Sequence, residues 1–301
     1  MMMTVRTVAE LRAACATLPR PLALVPTMGA LHDGHLVLVR AARRRCASIV
    51  ASVFVNPAQF GPGEDLSTYP RDERRDLELL GREGVAIAFL PPAAEVYPEG
   101  FRTSVHVDGP LTALFEGACR PGHFDGVATV VVKLLGMVAP EALFLGEKDA
   151  QQLALIRRAV RDLDLPVEVV AVPTVREPDG LALSSRNRRL SADERRAAPR
   201  LFAALRAGAS VADGLDRPAS ADVIVETVHD ALVSCPGGVH LPVDYIAVVH
   251  PDSFEPLERV DRDALIIAAV HAGDVRLIDC IGLAAHPTTA ATGEQRTPGR
   301  G

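Results

Sequence analysis

The chain has no excess of positive charge. Its 32 Lys and Arg stand against 38 Asp and Glu, giving a net charge of −6 and a pI near 5.9. That balance excludes a basic field able to hold a nucleic-acid backbone, and leaves room only for a local patch around one nucleotide. Paired cysteines are also missing. Cys15, Cys46, Cys119, Cys235 and Cys280 are odd in number, widely spaced and without a C-x-x-C pair, as expected of reduced, mostly buried thiols. No apolar run approaches bilayer length, and "MMMTVRTVAELRAACATL" has no apolar segment followed by a cleavage site. No internal repeat is present. These absences point to a soluble cytoplasmic protein.

What the chain does have is length and ordinary globular composition: 301 residues, 48% hydrophobic and 23% charged, enough for a sizeable core and two domains. Strand-like runs alternate with helical patterns up to Pro173. "LALVP" (22–26) and "SIVASVFV" (48–55) read as strands, and "HLVLVRAARRRC" (35–46) and "RDERRDLELLGREG" (71–84) as helices. "VAIAFLP" (85–91), "FDGVATVVVKLLGMV" (124–138), "EALFLG" (141–146), "DAQQLALIRRAVRDL" (149–163) and "VEVVAVP" (167–173) continue the alternation. Strands alternating with helices of this length predict an α/β fold, a Rossmann-like doubly wound parallel sheet. The near-continuous Val/Ile/Leu content suits strands covered on both faces.

After Pro173 the rhythm changes. A polar loop, "TVREPDGLALSSRNRRL", leads to "SADE" (191–194), a capping box that opens the helix "RRAAPRLFAALRAG". A helix over 219–234 and strands over 243–249, 264–272 and 275–283 follow. The predicted layout is a domain over 1–174, a smaller α+β lid domain over 175–285 and a disordered tail over 286–301.

The chemistry concentrates in "PTMGALHDGHLVLVRAA" (26–42), where His32 and His35 sit between a strand and a helix. Two histidines at this spacing are half of a metal site, but no nearby Glu or Cys completes it. As turn and N-cap residues they would lie at a helix N-terminus, where unpaired N–H groups and the helix dipole favour an anion. Gly29 and Gly34 would let backbone approach a ligand, and imidazole N–H donors there would stabilise charge developing on a phosphate oxygen. "GEKD" (146–149) is a polar strand-to-helix turn that sets Lys148 at the carboxyl end of a strand, where open α/β sheets bind ligands. "LSSRN" (183–187) is either a solvated loop or two hydroxyls and a guanidinium suited to a phosphate chain.

"HDGH" resembles the H-x-G-H signature of the nucleotidyltransferase superfamily. Its setting, "LVPTMGALHDGHL" with "SVFVNPAQF" ending the next strand, resembles the pantothenate synthetase (pantoate–β-alanine ligase) family. The likeness continues through "DLSTYPRD", "RPGHFDGVATVVVKL", "FLGEKDAQQL", "VPTVREPDGLALSSRNRRL" and "VDYIAVV", roughly residues 20 to 280. The resemblance implies catalytic roles for His32, His35, Lys148, Ser184, Ser185 and Arg186. ATP would lie against Pro26, Thr27, Met28, Gly29, Ala30, Leu31, His32, Asp33, Gly34 and His35. It would also meet Gly146, Glu147, Lys148, Asp149, Val175, Leu183, Ser184, Ser185 and Arg186. Pantoate and β-alanine would meet Asn56, Gln59, Tyr69, Arg120, His123 and Gln152. Asp76 matches an acidic position usable near Mg2+, which is otherwise held by ATP phosphate oxygens.

Three positions depart from the family's pattern: Ala150 replaces a common aromatic residue, Leu183 a common methionine, and Arg75 an acid found in relatives. The implied reaction converts pantoate, ATP and β-alanine to pantothenate, AMP and pyrophosphate through a pantoyl adenylate, in a protein expected to be a homodimer. A cytidylyltransferase would share "HDGH" but release a nucleotide-linked product. A silent nucleotide-binding module would have lost the donor histidines, and a tRNA-charging enzyme is opposed by the net charge of −6 and the lack of an anticodon-sized domain.

Overall fold

In the computed structural model the described residues are 2–64, 66–214, 219–233, 239–260 and 263–283. The tail expected over 286–301 and Cys235 lie outside them. The elements of the first half are β1 (Met3–Val5), α1 (Val8–Cys15), β2 (Leu22–Thr27), α2 (Asp33–Arg45), β3 (Ser48–Val53), α3 (Glu73–Arg82), β4 (Ile87–Phe89), α4 (Ala93–Val96), α5 (Pro110–Ala113), α6 (Glu116–Cys119), α7 (His123–Val138), β5 (Ala142–Gly146), α8 (Ala150–Asp162) and β6 (Glu168–Val172). The second half adds α9 (Ala192–Ala197), α10 (Arg200–Gly214), β7 (Ala219–Ser220), α11 (Ala221–Val233), β8 (Val243–Val249), β9 (Arg259–Val260), β10 (Ala264–Ala272) and β11 (Val275–Leu283).

The first six strands form one parallel sheet in the order β1-β4-β3-β2-β5-β6. Successive residues of β2 serve opposite faces, as strand geometry requires. Leu22 and Leu24 pack with α1, α7 and α8, while Ala23 and Val25 pack with α2 and α3. A strand with both faces covered has no place for polar side chains, which is why the apolar runs were continuous. From β2 the chain goes first to β3 and later returns to β5 on the other side, so β2 lies at the topological switch. Ligands of open α/β sheets bind outside the carboxyl ends of such strands. The segments after β2, β3, β5 and β6 all emerge there.

The C-terminal part has its own core. Leu181, Ala198, Leu201, Leu205, Ile224, Val228, Ile266 and Leu277 join one buried cluster around the antiparallel sheet β11-β10-β8. A smaller cluster of Leu111, Ala154, Val249, Phe254 and Ile267 joins this part to the first.

Some local expectations needed correction. The helix expected to run through 195–208 is two helices, α9 and α10, because Pro199 has no N–H to continue the ladder. The helix expected at 219–234 starts at Ala221, since Ala219 and Ser220 pair with Val260 and Arg259. The strand expected over 85–91 is limited to Ile87–Phe89. The first twenty residues, which suggested no element, supply edge strand β1 and helix α1, the latter opened by a Thr7–Glu10 capping box.

Gly126 on α7 shows how closely the fold is packed behind the site. A Cβ there would lie 2.2 Å from the Ala58 carbonyl oxygen and 2.6 Å from Gln59 N. Backbone on that side does not yield as a side chain tip would. Gly126→Ala is therefore expected to lower stability by about 1–3 kcal/mol, as overpacking does. A thermal or urea melt checks it; an unchanged midpoint would show that the 56–59 turn moves freely.

Candidate active site

The turn after β2 is built around a buried carboxylate. Asp76, on α3 and 1% exposed, accepts the N–H groups of Ala30 at 2.9 Å and Leu31 at 2.8 Å. Burial raises its pKa while the two N–H bonds oppose that rise. Gly29 (φ +83°) lies against this carboxylate, with a Cβ there 3.0 Å from Asp76 Oδ2 and from Val53 Cγ1. Its missing side chain thus makes room for Asp76, where close approach to a ligand was expected. The carboxylate expected near Mg2+ is engaged in holding the motif loop.

α2 starts at this turn with His32 as N-cap and His35 three residues on. The two rings lie 4.0 Å apart between centroids. His35 Nδ1 accepts the His32 backbone N–H at 3.3 Å, which leaves the His35 proton on Nε2. Gly34 gives the His32 ring its place, since a Cβ there would lie 2.9 Å from Nδ1 and Cε1. Burial lowers the His32 pKa to about 4, with Lys148 and Arg188 adding to the effect. Burial, the His32 ring and Lys148 lower that of His35 to about 3. Both rings are therefore neutral N–H donors at physiological pH, not imidazolium ions.

A cavity of about 240 Å³ opens at these strand ends. Pro26, Thr27, Met28, His32, Gly34 and His35 line it from β2 and α2; Asn56 and Gln59 from the turn after β3; Gly146, Lys148, Asp149 and Gln152 from the β5–α8 junction. Val175, Leu183, Ser184, Ser185 and Arg186 line it from the long loop, with Tyr69, Arg120 and His123 completing the expected set. Gly29, Ala30, Leu31, Asp33, Glu147 and Asp76 are not among its lining residues. Ala30 and Leu31 are buried, Asp33 and Glu147 exposed. The Glu147 carbonyl accepts the Cys280 thiol at 3.3 Å.

Several lining side chains have partners already. Asn56 donates to Gln59 Oε1 and the Gly126 carbonyl, each at 3.1 Å, and accepts from Ala58 N at 3.2 Å and Tyr97 Oη at 2.8 Å. All of its hydrogen-bonding capacity is used within the protein, so it holds Gln59 in place instead of offering a free amide. Ser185 Oγ donates to the Ala30 carbonyl at 3.2 Å, and Ser184 Oγ accepts from Arg186 N at 3.3 Å. The "LSSRN" loop thus already rests on the histidine motif. Gln152 is half-buried at the cavity, whereas its neighbour Gln151 is the fully buried one, bonded to Leu111, Leu114 and Glu116 backbone.

His123, whose pKa falls to about 4 through burial and the neighbouring Arg120 charge, donates from Nδ1 to the Gln59 carbonyl at 2.8 Å and accepts from Arg120 Nη1 at 3.0 Å. A larger cleft of about 910 Å³ shares Arg120, His123, Lys148, Asp149, Gln152, Ser184 and Arg186 with the cavity and extends to the β8–β11 face. Ala150, where the family commonly has an aromatic residue, packs against the buried cluster of Leu111, Ala154, Val249, Phe254 and Ile267, as do Phe115 and Tyr245.

His32 and Ser52 line the cavity, and within the protein His32 Nδ1 and Ser52 Oγ are buried without a hydrogen-bond partner, His32 Nδ1 beside the Gly34 backbone. An unpaired buried polar atom is costly unless something supplies its partner. Ser52 was not singled out from the sequence, nor were Thr174 and the apolar wall of Val127, Val130, Val131 and Leu134. A serine near the carboxyl end of a central strand was the available signal for Ser52.

A family model described as pantoate-beta-alanine ligase matches residues 3–282. The chain belongs to the pantoate–β-alanine ligase family. It is 54% identical over 279 residues to pantothenate synthetase of Thermus thermophilus, covering 92% of this chain and 98% of that one. To the Chloroflexus aurantiacus enzyme of the same name it is 50% identical over 280 residues, covering 92% and 97%. The crystal structure of the Thermus thermophilus enzyme superposes with a TM-score of 0.88 at 52% identity, covering 94% of this chain and 100% of that one. The pantoate-beta-alanine ligase of Francisella tularensis, complexed with beta-gamma ATP and beta-alanine, matches at TM-score 0.76 and 31% identity, over 93% and 97% of the two chains. This chain is accordingly an ATP-dependent ligase.

The neutral histidines have a measurable consequence. Their folded pKa values lie below the ordinary 6.5, so an unfolded chain binds protons that the folded one refuses. Stability from this source is present above about pH 6.5 and falls as pH drops toward 3–4. In NMR titrations the ring signals of His32, His35 and His123 should stay flat from pH 8 to about pH 5. A midpoint near 6.5 for any of them would place that ring in contact with solvent.

Proposed function

We propose that this chain condenses (R)-pantoate with β-alanine to pantothenate through a pantoyl adenylate, consuming ATP and releasing AMP and pyrophosphate. A pantoate carboxylate oxygen attacks the α-phosphorus, and the bond to the β-phosphate oxygen breaks as pyrophosphate leaves. The β-alanine amine, in its neutral form, then attacks the acyl carbon, the acyl–phosphate bond breaks with its electron pair leaving on AMP, and the proton shed by the new amide nitrogen passes to solvent.

One observation carries this reading: two neutral imidazole donors, Lys148, Arg186 and the Gln59 and Gln152 amides line a single cavity. A carboxylate nucleophile needs no general base. The first step needs donors and charge for the α-phosphate and the leaving pyrophosphate. His32, His35 and Ser184 supply donors, Lys148 and Arg186 the charge. Ser185 holds the loop to Ala30. Gln59 and Gln152 would serve the pantoate hydroxyls and carboxylate, with Tyr69, Arg120 and His123 around the acid substrates.

Mg2+ would add neutralisation of the β- and γ-phosphates. Among the described residues lining the smaller cavity, Asp149 is the only carboxylate, and no described group of three His, Cys, Asp or Glu residues is arranged to hold a metal. The donor set therefore suits an ion carried by the triphosphate, with Asp149 the one nearby acid. We assign residues 1–174 to the substrate-binding domain and 175–285 to a lid that keeps water from the adenylate. A homodimer in the cytoplasm belongs to the same proposal. Among the described residues no helix is long and apolar enough to cross a membrane.

The half-reactions separate the readings. Pyrophosphate–ATP isotope exchange is expected with pantoate alone, and AMP release only once β-alanine is added. Exchange that requires β-alanine would rule out a free-standing adenylate, and a nucleotide-linked product in place of AMP would favour cytidylyl-type transfer.

Replacing His35 by Ala is expected to slow adenylate formation about a hundredfold or more, the usual consequence of losing one preorganised donor. Near-normal single-turnover rates in a folded H35A protein would remove this ring from the chemistry.

A further inference from the structure

Glu116, at the start of α6, is only 8% exposed although it is an acid. Its carboxylate is taken up by the C-terminal sheet. Tyr245 Oη on β8 donates to Oε1 at 2.8 Å, and Arg276 Nη1 on β11 lies 2.6 Å from Oε1 and 2.8 Å from Oε2. Arg276 Nε donates in turn to Asp244 Oδ2 at 2.6 Å, and His271 Nε2 lies 3.1 Å from both Asp244 oxygens. Burial and the Glu116 charge raise the Tyr245 pKa, so its hydroxyl stays a donor.

The backbone of Glu116 serves the substrate side. Its N–H donates to Gln151 Oε1 at 3.1 Å, next to Gln152 on α8, and its carbonyl accepts the Arg120 N–H at 2.9 Å. Gln152 and Arg120 both line the smaller cavity. One residue therefore ties the C-terminal sheet to two of the segments that build the site. The residue before it is held hard in place: Phe115 lies at φ +53° and ψ −113°, with its ring 5.3 Å from that of Tyr245. Such a conformation persists only where the surroundings over-determine it, and it gathers at functional sites. A shielded ion pair is weak evidence of stability, since apolar residues of like volume often do as well. What this one fixes is the relative placement of its partners, and Glu116, Asp244, Tyr245 and Arg276 together form one wall of the larger cleft.

We propose that Glu116 is a positioning residue that seals this wall, holding the C-terminal sheet against the α6–α7 turn so that β-alanine, and not water, reaches the pantoyl adenylate. Where the seal fails, a water oxygen attacks the acyl carbon and the acyl–phosphate bond breaks with its electron pair leaving on AMP. Pantoate is regenerated, the proton passes to solvent, and ATP is consumed without pantothenate. The inference rests on the reading that the chain forms an adenylate and that residues 175–285 shield it.

The test compares full-length E116Q and Y245F with the parent protein in two measurements. One is AMP released from ATP and pantoate without β-alanine; the other is AMP formed per pantothenate with all three substrates present. E116Q keeps the volume and leaves Arg276 its Asp244 partner, and Y245F removes a single hydroxyl. In the parent protein each AMP should be matched by a pantothenate. In E116Q the release without β-alanine should rise about tenfold or more, the shift that follows loss of hydrogen bonds to a charged group, and AMP should outrun pantothenate. Y245F should show the same change to a smaller degree. The ratio of the two products does not depend on how much protein is folded, so a role confined to stability would lower both together and leave it unmoved. Parent-like ratios in both variants overturn the proposal and make Glu116 a structural brace. If E116Q does not fold, Y245F decides by the same ratio. Failure of the underlying reading has its own mark: the parent protein would show no pantoate-dependent exchange of pyrophosphate into ATP, and both statements would fall.

Discussion

The site depends on two backbone N–H groups that have to be satisfied where β2 turns toward α2. Ala30 and Leu31 are buried, and at such a turn neither has a partner on a neighbouring strand. The Asp76 carboxylate, brought from α3, satisfies both. An unmade bond there would carry a desolvation cost of about 1–3 kcal/mol per group. The Ala30 carbonyl in turn accepts Ser185, so the same turn seats the long loop. The histidine motif, the packing of α3 and the position of the "LSSRN" loop therefore rest on one buried acid.

Burial also decides the electrical character of the site. Imidazoles in open water would be partly protonated near neutral pH; packed against each other and near Lys148 they are kept neutral. Two more cations beside Lys148 and Arg186 would have bound a triphosphate tightly in its ground state. In the proposed reaction, neutral donors would instead strengthen as charge develops on a phosphate oxygen, which would favour the transition state over the bound substrate.

The alternation of elements was legible because each central strand is covered on both faces and each helix on one, and both conditions leave period-specific apolar patterns. β2, β3 and β5 were readable for that reason, and β6 and the three strands of the C-terminal sheet by their runs of Val, Ile, Leu and Ala. β1 was not: three residues at a sheet edge, with only Val5 buried, carry no periodic signal. The break at Pro199 was visible as a proline, yet the apolar positions on either side run on as though one helix continued. Most expected site residues do line the cavity, since a motif loop at a strand end has little freedom over where it emerges. The exceptions are instructive. Asp76 and Gly29 serve each other across the turn, and Asn56, though it lines the cavity, spends its amide on Gln59, relations between residues distant in sequence or hidden in a local turn.

By itself the amino-acid order determined the fold class, the position of the histidine motif at a strand-to-helix junction and the family, because these follow from hydrophobic period and from short contiguous motifs. Only the tertiary structure decided which of the motif residues face the cavity, that both histidines are neutral, and that Glu116 meets Tyr245 and Arg276. Each of those depends on distance and burial. A carboxylate 129 residues away along the chain from the hydroxyl it accepts and the water excluded from an imidazole leave no mark on local sequence until the fold brings the segments together.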